Sequence, residues 1–336
     1  MILVTGGTGM LGAHLLFQLV AAGEKVRAIY RSEKSLAKAK KVFGYYTSEV
    51  ASVFSKIDWI QADITDVPTL ETAFVGVKKV YHIAALVSFD EADYLHMRAI
   101  NIEGTANVVN LCVAFGVEKI AFVSSIAALA KSVSKNFIDE TDEFNIETNN
   151  YSYAITKFGA EMEVWRGAQE GLDVFVVNPG VILGPGFWNE NSGTLFTMVA
   201  KGSPFYTEGV TGFVGVDDVV RVLIQGMNSK VKNERFVLVS ENKSFKEILF
   251  YVAESLGVSK PKVKVTSLIA GIGWRLSWLK SKLTGTVNTF SKHTAKSANN
   301  KSFYSNSKVK RTFSFEFENM ETVVAGICEK YQSDKS

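Results

Sequence analysis

The sequence predicts an α/β fold, a doubly wound parallel sheet with helices on both faces. Three observations carry that expectation. Short runs of consecutive apolar residues recur along the first half of the chain, as strands buried on both faces require. Between them lie stretches with apolar residues at three- and four-residue steps, the signature of covering helices. A glycine-rich turn stands at the first junction between run and helix, where such sheets take their ligands.

Ile2-Leu3-Val4 is the first run. After the turn, Leu11, Leu15, Leu16, Leu19 and Val20 mark a helix that Gly23 ends. Val26 to Tyr30, Ile57 to Gln61, Val80 to Ala84 and Ile120 to Ser124 read as the second to fifth strands. One long helix lies between the last two, with Met97, Ile100, Val108, Leu111, Cys112 and Phe115 on its apolar face. Tyr151 to Gln169 is helical, and Val174 to Asn178 is a further strand stopped by Asn178-Pro179-Gly180. Beyond that, Gly- and Pro-rich loops (Gly184-Pro185-Gly186, Gly202-Ser203-Pro204) alternate with short helices such as Val219 to Met227 and Phe245 to Leu256. We therefore expect a dinucleotide-type core over residues 1–183. A smaller, interleaved C-terminal α/β lobe would span 184–331, with some strands and helices returning to the core, and a polar frayed tail would occupy 332–336.

Composition narrows the function. At 336 residues the chain can bury a full core, and 47% apolar against 21% charged residues excludes general disorder. Lys and Arg total 37 against 34 Asp and Glu, a net +3, so there is no electrostatic case for nucleic acid. Two cysteines, Cys112 and Cys328, cannot frame a disulfide scaffold and suit a reducing cytosol. No apolar run reaches the roughly 18 residues of a spanning helix, and glycines from Gly6 leave no room for a secretory signal. The expectation is a cytoplasmic protein without stable membrane insertion. No metal site is expected, since His14, His96 and His293 lack Cys/His partners at ligand spacing. His82 reads as structural, Cys112 as a small core residue, and Asp217 and Asp218 as helix caps.

Two motifs carry chemistry. Gly6-Gly7-Thr8-Gly9-Met10-Leu11-Gly12 is G-x-x-G-x-x-G between strand and helix. Glycines there let the backbone turn and approach a pyrophosphate, while the helix start offers free N–H groups. At the end of the second strand, Arg31 and Ser32 stand where a carboxylate would select NAD. A guanidinium suits a 2′-phosphate, so NADP is expected, with NAD still possible through Glu33. The second motif is Tyr153-Ala154-Ile155-Thr156-Lys157. Four residues apart on a helix, phenol and ammonium share a face, and the cation should lower the phenol's pKa toward the working range of a general acid.

These residues resemble the extended short-chain dehydrogenase/reductases, also called the NAD-dependent epimerase/dehydratase family. The likeness runs over nearly the whole chain. It includes Asp63-Ile64, Tyr81-His82-Ile83-Ala84-Ala85, Asn101-Ile102-Glu103-Gly104-Thr105, Ser124-Ser125, Asn178-Pro179-Gly180 with Gly184-Pro185-Gly186, and Val216-Asp217-Asp218. The resemblance implies a Rossmann sheet and a set of roles. Tyr153 would be the proton donor, Lys157 its activator and ribose ligand, and Ser125, in preference to Ser124, the hydroxyl on the substrate carbonyl. Asn101 would support the lysine through water. Gly6, Thr8, Gly9, Met10, Leu11 and Gly12 would cradle the cofactor, Asp63 and Ile64 would meet the adenine, Ala84 and Ala85 would border the cofactor, and Pro179 would lie near the nicotinamide. The helices from about Asn101 and Tyr151 could pair into a homodimer, as in relatives.

Within the family, sugar-nucleotide enzymes carry an Arg shortly before the Val-x-Asp element, but Gly209 to Asp217 contains none. Val26 to Ser32 and Val123 to Ala128 look instead like dihydroflavonol reductase and 3β-hydroxysteroid dehydrogenase relatives. The reading is an NADP(H)-dependent reductase of a ketone or aldehyde on an apolar small molecule, with reaction direction open. A nucleotide-sugar epimerase or dehydratase is the alternative within the family, and a non-catalytic dinucleotide-binding regulator the alternative outside it. Leu268, Ile269, Ile272, Leu276, Leu279 and Leu283 form a helical stripe beside Trp274 and Trp278. It reads as a lobe helix over the core. A lid over an apolar substrate is the sharper reading, ahead of an interfacial membrane helix.

Overall fold

A computed structural model describes residues 1–130, 136–145, 151–266 and 299–335. The chain enters on β1 (Ile2–Thr5), turns through the glycines into α1 (Met10–Ala21) and returns on β2 (Val26–Tyr30). There follow α2 (Glu33–Phe43), the short α3 (Val50–Phe54), β3 (Asp58–Gln61), α4 (Val67–Phe74) and β4 (Lys79–His82). Next come α5 (Tyr94–Arg98), α6 (Gly104–Ala114), β5 (Lys119–Val123), α7 (Ser152–Gln169) and β6 (Asp173–Pro179). The remainder runs β7 (Val181–Leu183), α8 (Gly193–Ala200), β8 (Phe205–Tyr206), β9 (Val210–Gly215) and α9 (Val216–Asn228). It closes with β10 (Glu234–Leu238), β11 (Glu241–Ser244), α10 (Phe245–Leu256), β12 (Val263–Lys264), α11 (Ser307–Phe313) and α12 (Met320–Ser333).

Seven strands form one sheet in the order β10-β6-β5-β4-β1-β2-β3, every pair parallel. The expected doubly wound parallel sheet is therefore present. Its order reverses direction between β1 and β4, which opens the crevice at the strand tips. On one face Leu15, Leu16 and Leu19 of α1 pack with Val219, Val220 and Leu223 of α9. On the other, Val108 and Cys112 of α6 pack with Ala160 and Val164 of α7.

Four local expectations change. β4 stops at His82, not Ala84: Ile83 N still donates to Thr5 O (3.3 Å), but Ala84 N turns to the Thr5 hydroxyl (3.3 Å) and ends the pairing. The long helix from Met97 to Phe115 is interrupted by a π-helical turn over Ala99–Glu103, with Asn101 buried inside it. Asp217 and Asp218 do not cap α9, whose N-cap is Gly215; they sit in its first turn and hold other segments. Asp217 accepts from the Tyr46 hydroxyl (3.0 Å), while Asp218 pairs with Arg221 and accepts from Glu318 N. Of the expected frayed tail, the described residues 332–335 are ordered. α12 continues through Ser333, and the Asp334 carboxylate accepts from Tyr45 (2.5 Å), Trp188 (2.6 Å) and Lys41 (2.8 Å). A polar tail orders when its one carboxylate finds three donors on folded elements.

Sequence reading did not resolve β10, a short strand with only its last three residues buried, which pairs with β6 along the sheet edge. With α9 and α11 it belongs to the main sheet's layers, whereas β7, β9 and β11 form a second small sheet under α8, α10 and α12. The Leu268–Leu283 stripe lies outside the described residues. Among the described residues no helix is long and apolar enough to cross a membrane.

Candidate active site

The glycine turn is built by what its residues lack. Gly6 has φ +71° and lies so close to the β4 exit that a Cβ there would stand 2.6 Å from Ala84 N. A Cβ on Gly12 would lie 2.2 Å from Gly6 O, so α1 can begin against β1 only if residue 12 is glycine. Gly9 differs. It is exposed, and its Cβ would meet only Gly6 O, at 3.4 Å. Gly9 N donates to Gly6 O (3.0 Å), so Gly9 offers space rather than a donor, and the first N–H groups of α1, at Met10, Leu11 and Gly12, fit an anionic phosphate group. Thr8 and Met10 are partly exposed on the same turn, and Leu11 points into the core.

Across the crevice, Arg31 follows β2 with its side chain 69% exposed, 4.0 Å from the Asp63 carboxylate. Asp63 also accepts from Thr65 N (2.9 Å) and the Thr65 hydroxyl (2.8 Å), which fixes the turn after β3. Ile64 turns inward and packs on Gly104. Ala84 and the exposed Ala85 line the exit of β4, and Pro179 is buried at the end of β6. Beneath this floor runs a buried chain. Thr5 Oγ1 meets His82 Nδ1 (2.6 Å), His82 Nε2 meets Thr105 Oγ1 (2.9 Å), and Thr105 donates to the Asn101 carbonyl (2.5 Å). Burial, reinforced by the Lys157 charge, pushes the His82 pKa down to about 3, so the ring is neutral and the chain is a structural tie.

The tyrosine and lysine stand at the start of α7, and Ser125 at the tip of β5. Tyr153 is partly buried, with Phe89 6.1 Å and Tyr151 6.4 Å from its ring. Burial pushes its phenol up to about 12, and a hydrogen bond with Ser125 draws it only partly back. The sequence expectation of a lowered phenol is thus reversed: desolvation outweighs the pull of Ser125. Lys157 is buried, donates from Nζ to Val123 O (2.9 Å) and lies 4.6 Å from the Phe122 ring centre. Burial lowers its pKa to about 8, against an opposing pull from Glu161. Asn101 touches neither group. Its Oδ1 accepts from Leu86 N (2.7 Å), and its Nδ2 donates to Leu86 O (3.0 Å) and to Thr156 Oγ1 (3.1 Å). It thereby fixes the loop after β4 against α7.

The two serines part ways. Ser125 reaches Tyr153, while Ser124 turns inward and donates to Glu161 Oε2 (2.6 Å). Glu161 is a residue that the motifs missed. Its signal was its position four residues after Lys157 on the same helical stripe, one of the few charges inside an otherwise apolar face. Among the described residues no cluster of metal-ligating side chains occurs.

Sheet order, glycine turn and the tyrosine–lysine helix together define a dinucleotide-dependent short-chain fold. The chain belongs to the NAD dependent epimerase/dehydratase family, whose model matches residues 2–238, and so to a family of NAD-dependent oxidoreductases. It is 28% identical over 267 residues to sterol demethylase protein B of Methylococcus capsulatus, covering 78% of this chain and 76% of that protein. A putative dihydroflavonol 4-reductase of Synechocystis is 27% identical over 267 residues, 77% of this chain and 73% of that protein. A UDP-glucose 4-epimerase from Thermotoga maritima, solved with UDP-glucose, superposes with a TM-score of 0.78 at 21% identity, over 100% of this chain and 99% of that one. At that identity the likeness is one of fold.

Proposed function

We propose that the protein is an NADP(H)-dependent reductase of a ketone or aldehyde carried on an apolar small molecule. The observation that supports this most is the placing of Ser125, at the tip of β5, near enough to Tyr153 at the start of α7 to act on its phenol, which burial holds protonated at neutral pH. A protonated phenol is the form a reductase needs. Ser125 would hold the carbonyl oxygen and Tyr153 would give it a proton, leaving a phenolate that solvent reprotonates. Lys157, still largely charged at pH 7, would stabilise that phenolate. When bound, the dinucleotide supplies the hydride to the carbonyl carbon. Gly6, Thr8, Gly9, Met10, Leu11 and Gly12 would bind its phosphates, and Asp63, Ile64, Ala84, Ala85 and Pro179 would border it. Asn101 would act as a support for the α7 start. The exposed Arg31 would pair with a 2′-phosphate and so favour NADP over NAD.

Phe89, 50% exposed, and Val87, 38% exposed, lie on the loop beside Tyr153 and offer an apolar rim. The reductase name of the Synechocystis relative points the same way. The segment from 184 to 331 would supply most of the substrate lobe.

The test follows nicotinamide absorbance with NADPH and with NADH against ketones, aldehydes and UDP-sugars, for the native protein and for Tyr153→Phe. We expect turnover of an apolar carbonyl compound with NADPH. Tyr153→Phe should lose it by on the order of a thousandfold while still binding cofactor. Turnover of UDP-sugars alone, or near-native turnover by Tyr153→Phe, would overturn the reading.

A further inference from the structure

Glu161 is fully buried, yet its carboxylate is crowded with donors. Oε2 accepts from Ser124 Oγ (2.6 Å) and Asn178 Nδ2 (2.9 Å), and Oε1 from Arg235 Nη1 (3.1 Å) and Trp165 Nε1 (3.2 Å). Those donors come from the tip of β5, the end of β6, β10 and α7 itself. Two of them, Asn178 and Arg235, also hold something near the site. Asn178 Nδ2 donates as well to Ser125 O (3.0 Å), so one amide joins the carboxylate to the backbone of the serine that meets Tyr153. Arg235 donates from Nε to Glu140 O (2.9 Å) and from Nη2 to Asp142 O (3.1 Å), on the connection that leads from β5 to α7.

Stability alone does not account for this arrangement. A buried ion pair recovers its desolvation cost only with full hydrogen bonding, and well-packed apolar residues of similar volume often serve as well. Its position is what distinguishes it. Tyr153, Lys157 and Glu161 follow one another at four-residue steps on α7, so the carboxylate lies one turn below the ammonium and two below the phenol. Among the described residues, the charged and titratable groups that act on Lys157 are Glu161 on α7 and the neutral His82 on β4, with Arg235 on β10 behind the carboxylate and Tyr153 one turn away on α7. Glu161 is the only negative group among them.

We propose that Glu161 is a positioning residue for the tyrosine–lysine site: clamped by Arg235, it fixes the Ser124–Ser125 turn through Ser124 and Asn178 and supplies the counter-charge for the Lys157 ammonium. The inference rests on the reductase reading for its function but not for its physics. Burial drives Lys157 toward the neutral form, and Glu161 is the group that opposes it. Arg235 acts in the opposite sense, since its positive charge partly cancels the carboxylate as seen from Lys157.

The experiment titrates Lys157 in the cofactor-free protein by NMR of 13Cε-labelled lysine, with the signal assigned by its loss in Lys157→Met. Glu161→Gln keeps the volume and removes the charge, so the Lys157 midpoint should fall by about one pH unit or more, a tenfold change in proton affinity. Arg235→Gln leaves the carboxylate with its three other donors, so the midpoint should rise. Glu161→Asp retains the charge and should stay nearer the native midpoint than Glu161→Gln. A structural clamp without electrostatic consequence would move none of them. An unmoved midpoint in Glu161→Gln, or shifts of the same sign in the Gln variants of Glu161 and Arg235, overturns the proposal. Should Glu161→Gln fail to fold, the rise in Arg235→Gln stands as its own test, and its absence overturns the proposal equally.

The same variants, assayed with the carbonyl compound turned over best by the native protein, should lower kcat with little change in the KM for NADPH. In Glu161→Gln the alkaline limb of activity should move to lower pH. These readouts separate the two failures. Loss of the reductase reading shows in Tyr153→Phe, whereas loss of this inference shows in Lys157 titration while Tyr153→Phe remains inactive.

Discussion

The glycine turn and the start of α7 stand at the tips of the same sheet and are built on opposite principles. At the turn, the shape comes from missing side chains: Gly6 and Gly12 let backbone meet backbone, and Gly9 leaves space above it. At α7, the site is made of side chains packed out of water, where Lys157, Glu161 and Asn178 are all buried. The turn is therefore governed by sterics between residues close in sequence. The α7 site is governed by electrostatics between residues as far apart as Ser124 and Arg235, joined only through Glu161. A steric device tolerates no added atom, whereas an electrostatic one tolerates substitution but shifts its proton affinities.

The sharpest way to break that contrast is to add one methyl group at each of two glycines. Gly12→Ala places a Cβ 2.2 Å from Gly6 O and 2.8 Å from Gly7 Cα, all backbone that cannot move aside. We expect a loss of about 3 kcal/mol or more in urea unfolding, with NADPH binding abolished. Gly9→Ala meets nothing nearer than 3.4 Å, and Gly9 has an ordinary φ of −84°. Its stability should change by roughly 0.5 kcal/mol at most, while its NADPH affinity falls. If both variants unfold alike, the turn is one packed unit and the distinction between its glycines is wrong.

This contrast also explains what the sequence made legible. The parallel sheet, the first helix with its stop at Gly23, and the glycine turn could be read because each depends on local pattern: apolar runs, a 3.6-residue period, a residue without Cβ. β10 could not be read so well, because Glu234–Leu238 gains its strand character by pairing with β6 across more than fifty residues. The π-helical turn at Ala99–Glu103 leaves the apolar period nearly intact and so leaves no mark on it. Asp334 is ordered by Tyr45, Trp188 and Lys41, none of them near it in sequence. The chemistry divides the same way. The spacing of Tyr153 and Lys157 was visible, but the direction of the tyrosine's shift was not, because burial is a tertiary property.

A second test exploits the cost of holding a charge in that interior. The Lys157 pKa is about 8 in the folded chain against an ordinary 10.5, a difference of roughly 3 kcal/mol that opposes folding. The sign follows from proton counts. Between pH 8 and 10.5 the unfolded chain holds a proton that the folded chain has released. The penalty is therefore complete below pH 8 and disappears as pH rises toward 10.5. Lys157→Met removes it but leaves Val123 O without its donor, which returns part of the gain. We expect the variant to be inactive yet about 1 kcal/mol more stable than the native protein at pH 7, and about 2 kcal/mol less stable by pH 10.5, where the penalty is gone and only the lost hydrogen bond counts. A stability difference independent of pH between 7 and 10.5 would mean that the charge is not what the site spends stability on.

The smallest expected effect lies at the far end of the crevice, where neither sterics nor burial operates. Arg31 is 69% exposed and only 4.0 Å from Asp63, so it stands in high dielectric with a loose partner. Replacing it with Ala should leave unfolding unchanged within about 0.5 kcal/mol. Its effect should appear in selectivity: kcat/KM for NADPH falls about tenfold, while that for NADH stays level or rises slightly, with Glu33 left to accept from a ribose hydroxyl. The NADPH penalty should shrink in high salt, because an exposed guanidinium–phosphate pair is screened. An Arg31→Ala protein with native NADPH-to-NADH preference would place the 2′-phosphate contact elsewhere. An Arg31→Ala protein with reduced stability would show that this end, too, is held by packing, and that the molecule divides into fewer kinds of site than the glycine turn and α7 suggest.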